Sequence, residues 1–180
     1  MTMSRILHIV PGVDDVANGM AVVARMLAKE QGCADVVDLN HGIHRIRERD
    51  VEEVWVHGMW LPKEWAACRA ALRAGKRLVR MTHGSLSPVY LTHQSCLKKR
   101  LVAPIERHYL RRANKVVATC EAEKRWIESY LGKRCPSIEV TDLKRFFELS
   151  KLNRVNHVNP VPKGFNLLYL GRRHPLKGVE

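Results

Sequence analysis

The chain has 180 residues, which suits one ordinary α/β domain and is short for two. A hydrophobic content of 46% supports a packed core and excludes a disordered chain. The net charge of +13 predicts an anionic partner: nucleic acid, an acidic membrane surface or a phosphorylated small molecule.

Ile6 to Val10 is a short apolar run ending at Pro11-Gly12, and it reads as a buried first strand rather than a signal peptide. After the polar stretch VDDVANG, residues Met20, Val23, Ala24, Leu27 and Ala28 recur at helical spacing, and Gly32 stops the helix. Asp35 to Leu39 is a second strand, His41 to Asp50 a surface connection, and Val54 to Val56 a third strand ending at His57-Gly58. Leu61, Trp65, Cys68 and Leu72 mark a helix face that ends at Gly75, before a strand over Arg77 to Thr82 that ends at His83-Gly84. A loop with Ser85, Ser87 and Pro88 leads to a basic segment of helical period, Lys98 to Lys115, in which Pro104 starts a new helix or kinks one. Val116 to Thr119 and Glu121 to Leu131 add a strand and a helix, and beyond Cys135-Pro136 the pattern weakens. Asn159 to Gly164 is a linker rich in proline, and Phe165 to Leu170 a last apolar strand.

Strands alternating with helices on short loops predict a doubly wound parallel sheet. Its crossovers bring His57-Gly58, His83-Gly84 and the loop from Gly12 to Gly19 to one edge, where such sheets bind ligands. Five dispersed cysteines without a CxxC pair exclude a disulfide framework and a thiolate zinc site. No stretch reaches the ~20 apolar residues of a spanning helix, so a cytosolic protein is expected.

The segment Gly171-Arg172-Arg173-His174-Pro175-Leu176-Lys177-Gly178 places Arg172 and Lys177 on one loop after a strand. Two cations with backbone N–H groups between glycines suit a diphosphate. Taken alone, the same residues also read as a solvated basic turn. The string LYLGRRHPLKGVE resembles the opening of the donor domain in retaining group-1 glycosyltransferases, where G-R-x-x-x-x-K-G follows the first strand. That resemblance assigns Arg172 and Lys177 to the donor's diphosphate. Upstream, WVHGMWLPKEWAACRAALRAGKRLVRMTHGSLSPVYL and KKRLVAPIERHYLRRANKVVATCEAEKRWI resemble the family's N-terminal acceptor domain. Several motifs in order are more specific than any one alone. Residues 133–160 depart from the pattern, with Ile138 to Leu143 in place of the usual I-P-N-G-V-like loop.

The resemblance implies the two-domain Rossmann-like (GT-B) architecture. An acceptor-side domain is expected over 1–158, a linker over 159–164, and the first strand and phosphate-binding loop of a donor domain over 165–180, where the chain stops. It also implies a nucleotide sugar as co-substrate, a glycan or glycolipid acceptor, and neither a resident cofactor nor a metal, because cationic side chains replace the divalent ion. His83 would face the cleft and hydrogen-bond the transferring sugar as the catalytic imidazole, although a histidine ending a strand is also ordinary polar structure. Gly19, His57, Trp60 and Gly84 are the accompanying acceptor-side or cleft residues, with Trp60 readable as a sugar-stacking or a core side chain.

Arg100, Arg107, Arg111 and Lys115 form one stripe on a continuous helix, beside an apolar stripe of Leu101, Ile105 and Tyr109. Such a helix packs its apolar side on the sheet and presents a basic face to anionic lipid, or simply to solvent. The expected location is therefore the cytoplasm, peripheral to the inner face of the cytoplasmic membrane, in cell-envelope glycan assembly such as lipopolysaccharide. A nucleic-acid module fits poorly, because basic residues are not interleaved with aromatics. A non-catalytic half-enzyme docking with a separate donor domain is the other alternative. Since the family's acidic donor motif would lie beyond Glu180, the 180-residue chain alone is expected to transfer little or no sugar. Multiple turnovers with nucleotide sugars and a glycan acceptor would refute that.

Overall fold

A computed structural model describes residues 5–15, 18–93 and 96–141, without side chains for 96–100. The expected strand and linker within 142–180, with Arg172 and Lys177, lie outside the described residues. Six strands and six helices follow in the order β1 (Arg5–Val10), α1 (Gly19–Gln31), β2 (Ala34–Asp38), α2 (Leu39–Arg45), β3 (Val51–His57), α3 (Pro62–Arg73), β4 (Arg77–Met81), α4 (Pro88–Thr92), α5 (Cys96–Arg112), β5 (Lys115–Ala118), α6 (Glu121–Leu131) and β6 (Ser137–Val140). All described strand pairs are parallel, in the order β2-β1-β3-β4-β5-β6. The chain is a Rossmann-like α/β fold.

Alternation along the central strands separates two buried layers. Leu7, Ile9, Val54, Val56 and Leu78 pack with Ala67, Cys68, Leu110 and Ile127 in the larger core. Val10 packs with Ala21 and Ala24 of α1 in a smaller one. Asn18 caps α1 by accepting the Met20 N–H, and Gly32 closes it at φ 72°, a left-handed angle that only glycine adopts freely. Three elements escaped the sequence pattern. The connection expected over 41–50 is partly α2, capped by Asp38 through the Asn40 N–H. A Cβ at its Gly42 would stand 2.9 Å from the Ile9 and Val37 side chains, so the helix packs through a residue that carries no hydrophobic signal. Ser87 caps the short α4 where a loop is expected. Edge strand β6 alternates exposed and half-buried residues, too little burial to leave an apolar run.

Helix α5 corrects the sequence expectation more deeply. It runs with Pro104 in its interior. Two of the three residues assigned to the sheet face outward instead, Leu101 at 62% exposed and Ile105 at 38%, while the half-buried Tyr109 packs against the core. The buried face carries Ala103, Glu106 and Leu110. The basic stripe is also broken. Arg107 donates to the Tyr130 carbonyl at 3.2 Å with its guanidinium 4.5 Å from the Tyr130 ring centre, and Arg111 donates to the Leu131 carbonyl at 2.7 Å. Both arginines thus sit on the negative C-terminal end of α6. Lys115 belongs to β5 rather than the helix and pairs with Glu139 at 2.8 Å. The Arg100 side chain lies outside the described residues.

The helix turned inward because Glu106 has a partner there. Arg80 and Glu106 are both fully buried, with Nη2 to Oε2 at 3.2 Å. The same Nη2 donates to the Gly58 carbonyl at 3.0 Å, and Glu106 accepts from the Trp60 backbone N–H and from Trp65 Nε1 at 2.7 Å. One ion pair therefore ties β4, α5 and the loop after β3 together. Removing one partner of a buried pair leaves an uncompensated charge. Glu106→Gln is expected to destabilise the fold by about 3–5 kcal/mol in urea unfolding. The double variant with Arg80→Met should lose less than the sum of the two single variants.

Candidate functional site at the carboxyl edge of the sheet

The chain leaves β1 for β2 on one side and returns to β3 on the other, so the β1–β3 junction is the reversal point of the strand order. Crevices at such points, outside the carboxyl ends of parallel strands, are where open α/β sheets bind ligands. The loops after β1, β3, β4 and β5 come to this edge, and each is held by a carboxylate.

Asp38, at the end of β2, accepts the Gly12 N–H at 3.0 Å and the Val13 N–H at 3.4 Å. The Asn40 amide first, with those of Val13 and Gly12, holds its carboxyl below the usual aspartate range. Glu64, buried in α3, accepts the Leu61 N–H at 2.9 Å and packs under Gly58. Gly58 has φ 89°, and a Cβ there would meet Glu64 Oε1 at 2.5 Å, so this position admits glycine alone. Glu123 of α6 is fully buried and accepts from the Thr82 hydroxyl, the Gly84 N–H, the Thr119 N–H at 2.7 Å and the Thr119 hydroxyl at 2.6 Å. Four donors fill the four acceptor positions of a carboxylate. They join the loops after β4 and β5 to the start of α6.

Between these loops stands His83. Its φ of 49° lies in the left-handed region, which costs a non-glycine residue roughly 1–2 kcal/mol and is tolerated where surroundings impose it. The imposing contacts are the Glu123 clamp on its two neighbours and a ring contact behind it. His83 Nε2 lies 2.8 Å from His57 Nδ1, and His57 Nε2 lies 2.9 Å from His8 Nδ1. His8 Nε2 in turn lies 2.7 Å from Gln31 Oε1 at the end of α1. These are hydrogen-bond distances, and the Trp55 ring stacks on His8 with centroids 4.9 Å apart. His83 remains partly exposed while His8 and His57 are fully buried. Desolvation by burial lowers His83 and His8 to about 4 each and carries His57 well below its ordinary value, with the neighbouring His83, His8 and Arg80 adding to the His57 shift. All three rings are neutral at pH 7. A neutral imidazole at the end of a strand can accept a hydrogen bond from a hydroxyl or donate one to it.

The structure thus brings His57, His83 and Gly84 to one edge, and Gly19 opens α1 with open space where its Cβ would be. One expectation changes, at His57, and the open choice at Trp60 is decided. His57 is sealed from solvent, because its ring is spent on His8 and His83, so it reaches the crevice only through His83. Trp60 is 4% exposed, with its backbone N–H held by Glu106, and is a core side chain rather than a stacking platform. The Gly84 N–H is taken by Glu123 and is not offered to a ligand. His8, Gln31, Glu123, Glu106 and Arg80 went unread in the sequence. The available signal was a polar residue inside an apolar strand, as at His8 and Arg80.

The sequence profile described as Glycosyltransferase Family 4 matches residues 38–141, more than half of the chain and the stretch that contains His57, His83, Glu106 and Glu123. The chain belongs to glycosyltransferase family 4. No curated protein matches it. His8 and Gln31 lie outside the family 4 match, although they complete the hydrogen-bonded row behind His83. Among the described residues of this family 4 chain, no helix is long and apolar enough to cross a membrane.

The lowered histidines predict acid sensitivity. The unfolded chain binds protons at His8, His57 and His83 near pH 6.5, whereas the folded chain refuses them until about pH 4 at His8 and His83. Their stabilisation is complete above pH 6.5 and is lost as pH falls toward 4. Each contributes a slope of order 1 kcal/mol per pH unit in that window. Urea unfolding at pH 7.0 and 5.5 should show the fall, and His8→Phe should flatten it.

Proposed function

We propose that this lobe seats the acceptor and the reacting sugar during glycosyl transfer from a nucleotide-diphosphate donor, with retention of anomeric configuration. The observation that carries the reading is a partly exposed, neutral imidazole, His83, held in left-handed backbone at the strand-reversal edge of a family 4 chain. Backbone strain of this kind concentrates at functional sites. A neutral ring can orient a sugar hydroxyl through a hydrogen bond as positive charge develops at the anomeric carbon, without adding a repelling cation. Arg172 and Lys177 take the leaving diphosphate in this reading, supported by their place in the G-R-x-x-x-x-K-G pattern. The acceptor is a lipid-linked glycan on the cytoplasmic side of a membrane. Supporting that choice, Leu101 and Ile105 stand exposed on the same helix as Arg107 and Arg111, a combination that suits an interfacial surface.

In a two-domain enzyme carrying this lobe, His83→Ala should lower kcat by roughly a hundredfold, the scale of one lost transition-state hydrogen bond. Lys177→Ala should lower donor use by about 3 kcal/mol of transition-state stabilisation. Transfer of labelled sugar from a panel of nucleotide sugars to membrane glycolipid measures both. Parent-level transfer by His83→Ala would remove that residue from the site.

A further inference from the structure

The row Gln31–His8–His57–His83 joins a helix end to the crevice through three consecutive ring-to-ring or amide-to-ring contacts of 2.7, 2.9 and 2.8 Å. A neutral imidazole has one N–H and one bare nitrogen, so each ring that donates on one side must accept on the other. Polarity chosen at one end of such a row is therefore copied to the other. At the Gln31 end the contact atom is the carboxamide oxygen, which accepts only. His8 then carries its proton on Nε2 and accepts at Nδ1. His57 donates from Nε2 and accepts at Nδ1. His83 donates from Nε2 to His57 and is left with a bare Nδ1.

We infer that Gln31, acting through His8 and His57, sets the tautomer of His83 and presents its Nδ1 lone pair to the crevice as a hydrogen-bond acceptor. Gln31, His8 and His57 are positioning residues that never touch the sugar. The inference rests on the reading of His83 given above only for what that nitrogen meets; the tautomer row itself does not.

The other charged and titratable groups around the row leave this polarity undisturbed. Glu123, the carboxylate whose charge acts on His83, has its acceptor positions filled by Thr82, Gly84 and Thr119, so it does not compete for a His83 proton. Arg80, whose charge acts on His57, is directed to Glu106 and the Gly58 carbonyl. Trp55 covers His8 with its ring face and sends its indole N–H to Glu53 at 2.6 Å. Lys115 lies over the Trp55 ring, 5.5 Å from its centre, and pairs with Glu139. Among the described residues His83 Nδ1 has no hydrogen-bond partner. Burial supports the scheme by keeping a second proton off every ring at neutral pH.

An accepting nitrogen at His83 would take the proton of a sugar hydroxyl into a hydrogen bond, raising electron density on that oxygen. The opposite tautomer would offer an N–H there and would favour a carbonyl or ring oxygen instead. Gln31 thus decides which kind of oxygen the site prefers, from the far end of the row.

The test is long-range proton–nitrogen NMR of the nitrogen-labelled 180-residue chain at pH 7, which reads the protonated nitrogen of each imidazole. The expected wild-type result is Nε2–H at His8, His57 and His83 alike. Gln31→Met removes the acceptor at a partly exposed helix end, and the single-tautomer pattern should be lost at all three rings together. Gln31→Glu keeps an acceptor oxygen and should retain Nε2–H at His57 and His83. An Nδ1–H or mixed His83 in the wild type overturns the inference, as does a Gln31→Met change confined to His8. If Gln31→Met fails to fold, the wild-type pattern and Gln31→Glu still decide it. A correct tautomer row together with a harmless His83→Ala would sink the sugar reading while leaving the row intact.

Discussion

A parallel sheet ends at its carboxyl edge in loops whose backbone amides have lost their strand partners, and here carboxylates borrowed from neighbouring elements take them up. Asp38 holds the loop after β1, Glu64 and Glu106 hold the loop after β3, and Glu123 holds the loops after β4 and β5. An unsatisfied buried amide would cost about 1–3 kcal/mol. Each clamp instead joins two or more elements, so the edge is rigid where ligands are expected to arrive. The left-handed turns at His83, Gly84, Gly58 and Trp60 persist because these clamps leave no relaxed alternative.

The edge uses two ways of burying polar groups. On the face covered by α3 and α5, Arg80 and Glu106 are buried as an ion pair with further hydrogen bonds to Gly58, Cys68, Trp60 and Trp65, while Arg80 Nε has no hydrogen-bond partner. On the face toward α1, polarity is carried by three neutral imidazoles and a carboxamide. Neutral rings avoid the desolvation penalty of ions, and they convey direction rather than charge, because each ring must donate on one side and accept on the other. The two systems meet at β3 and β4, where Arg80 supports the turn that follows His57. That arrangement places an uncharged imidazole beside the reversal of the strand order.

Family membership and fold were legible early because both depend on local pattern. Apolar runs of strand length, helical spacing in α1, α3 and α6, and glycines at 32, 75 and 132 each declare themselves within a few residues. His57 and His83 stand out in the sequence because each ends a strand before a glycine. Hydrophobicity alone selects the wrong inner face for the first half of helix α5. Leu101 and Ile105 outweigh Glu106 on any hydropathy count, yet the buried guanidinium of Arg80 makes Glu106 the residue that belongs inside.

The sequence by itself determined the alternation of strands and helices, the parallel sheet, and the set of loops brought to one edge, since these follow from periodicity and from the handedness of crossovers. Only the tertiary structure decided which polar residues were partners. His8, Gln31 and His57 are 23 to 49 positions apart in the pairs that hydrogen-bond, and Glu123 reaches Thr82 across 41. No local pattern encodes such distances. The pairing arises because β1, β3 and β4 lie side by side in space, and a buried polar group must find its partner among whatever neighbours the sheet supplies.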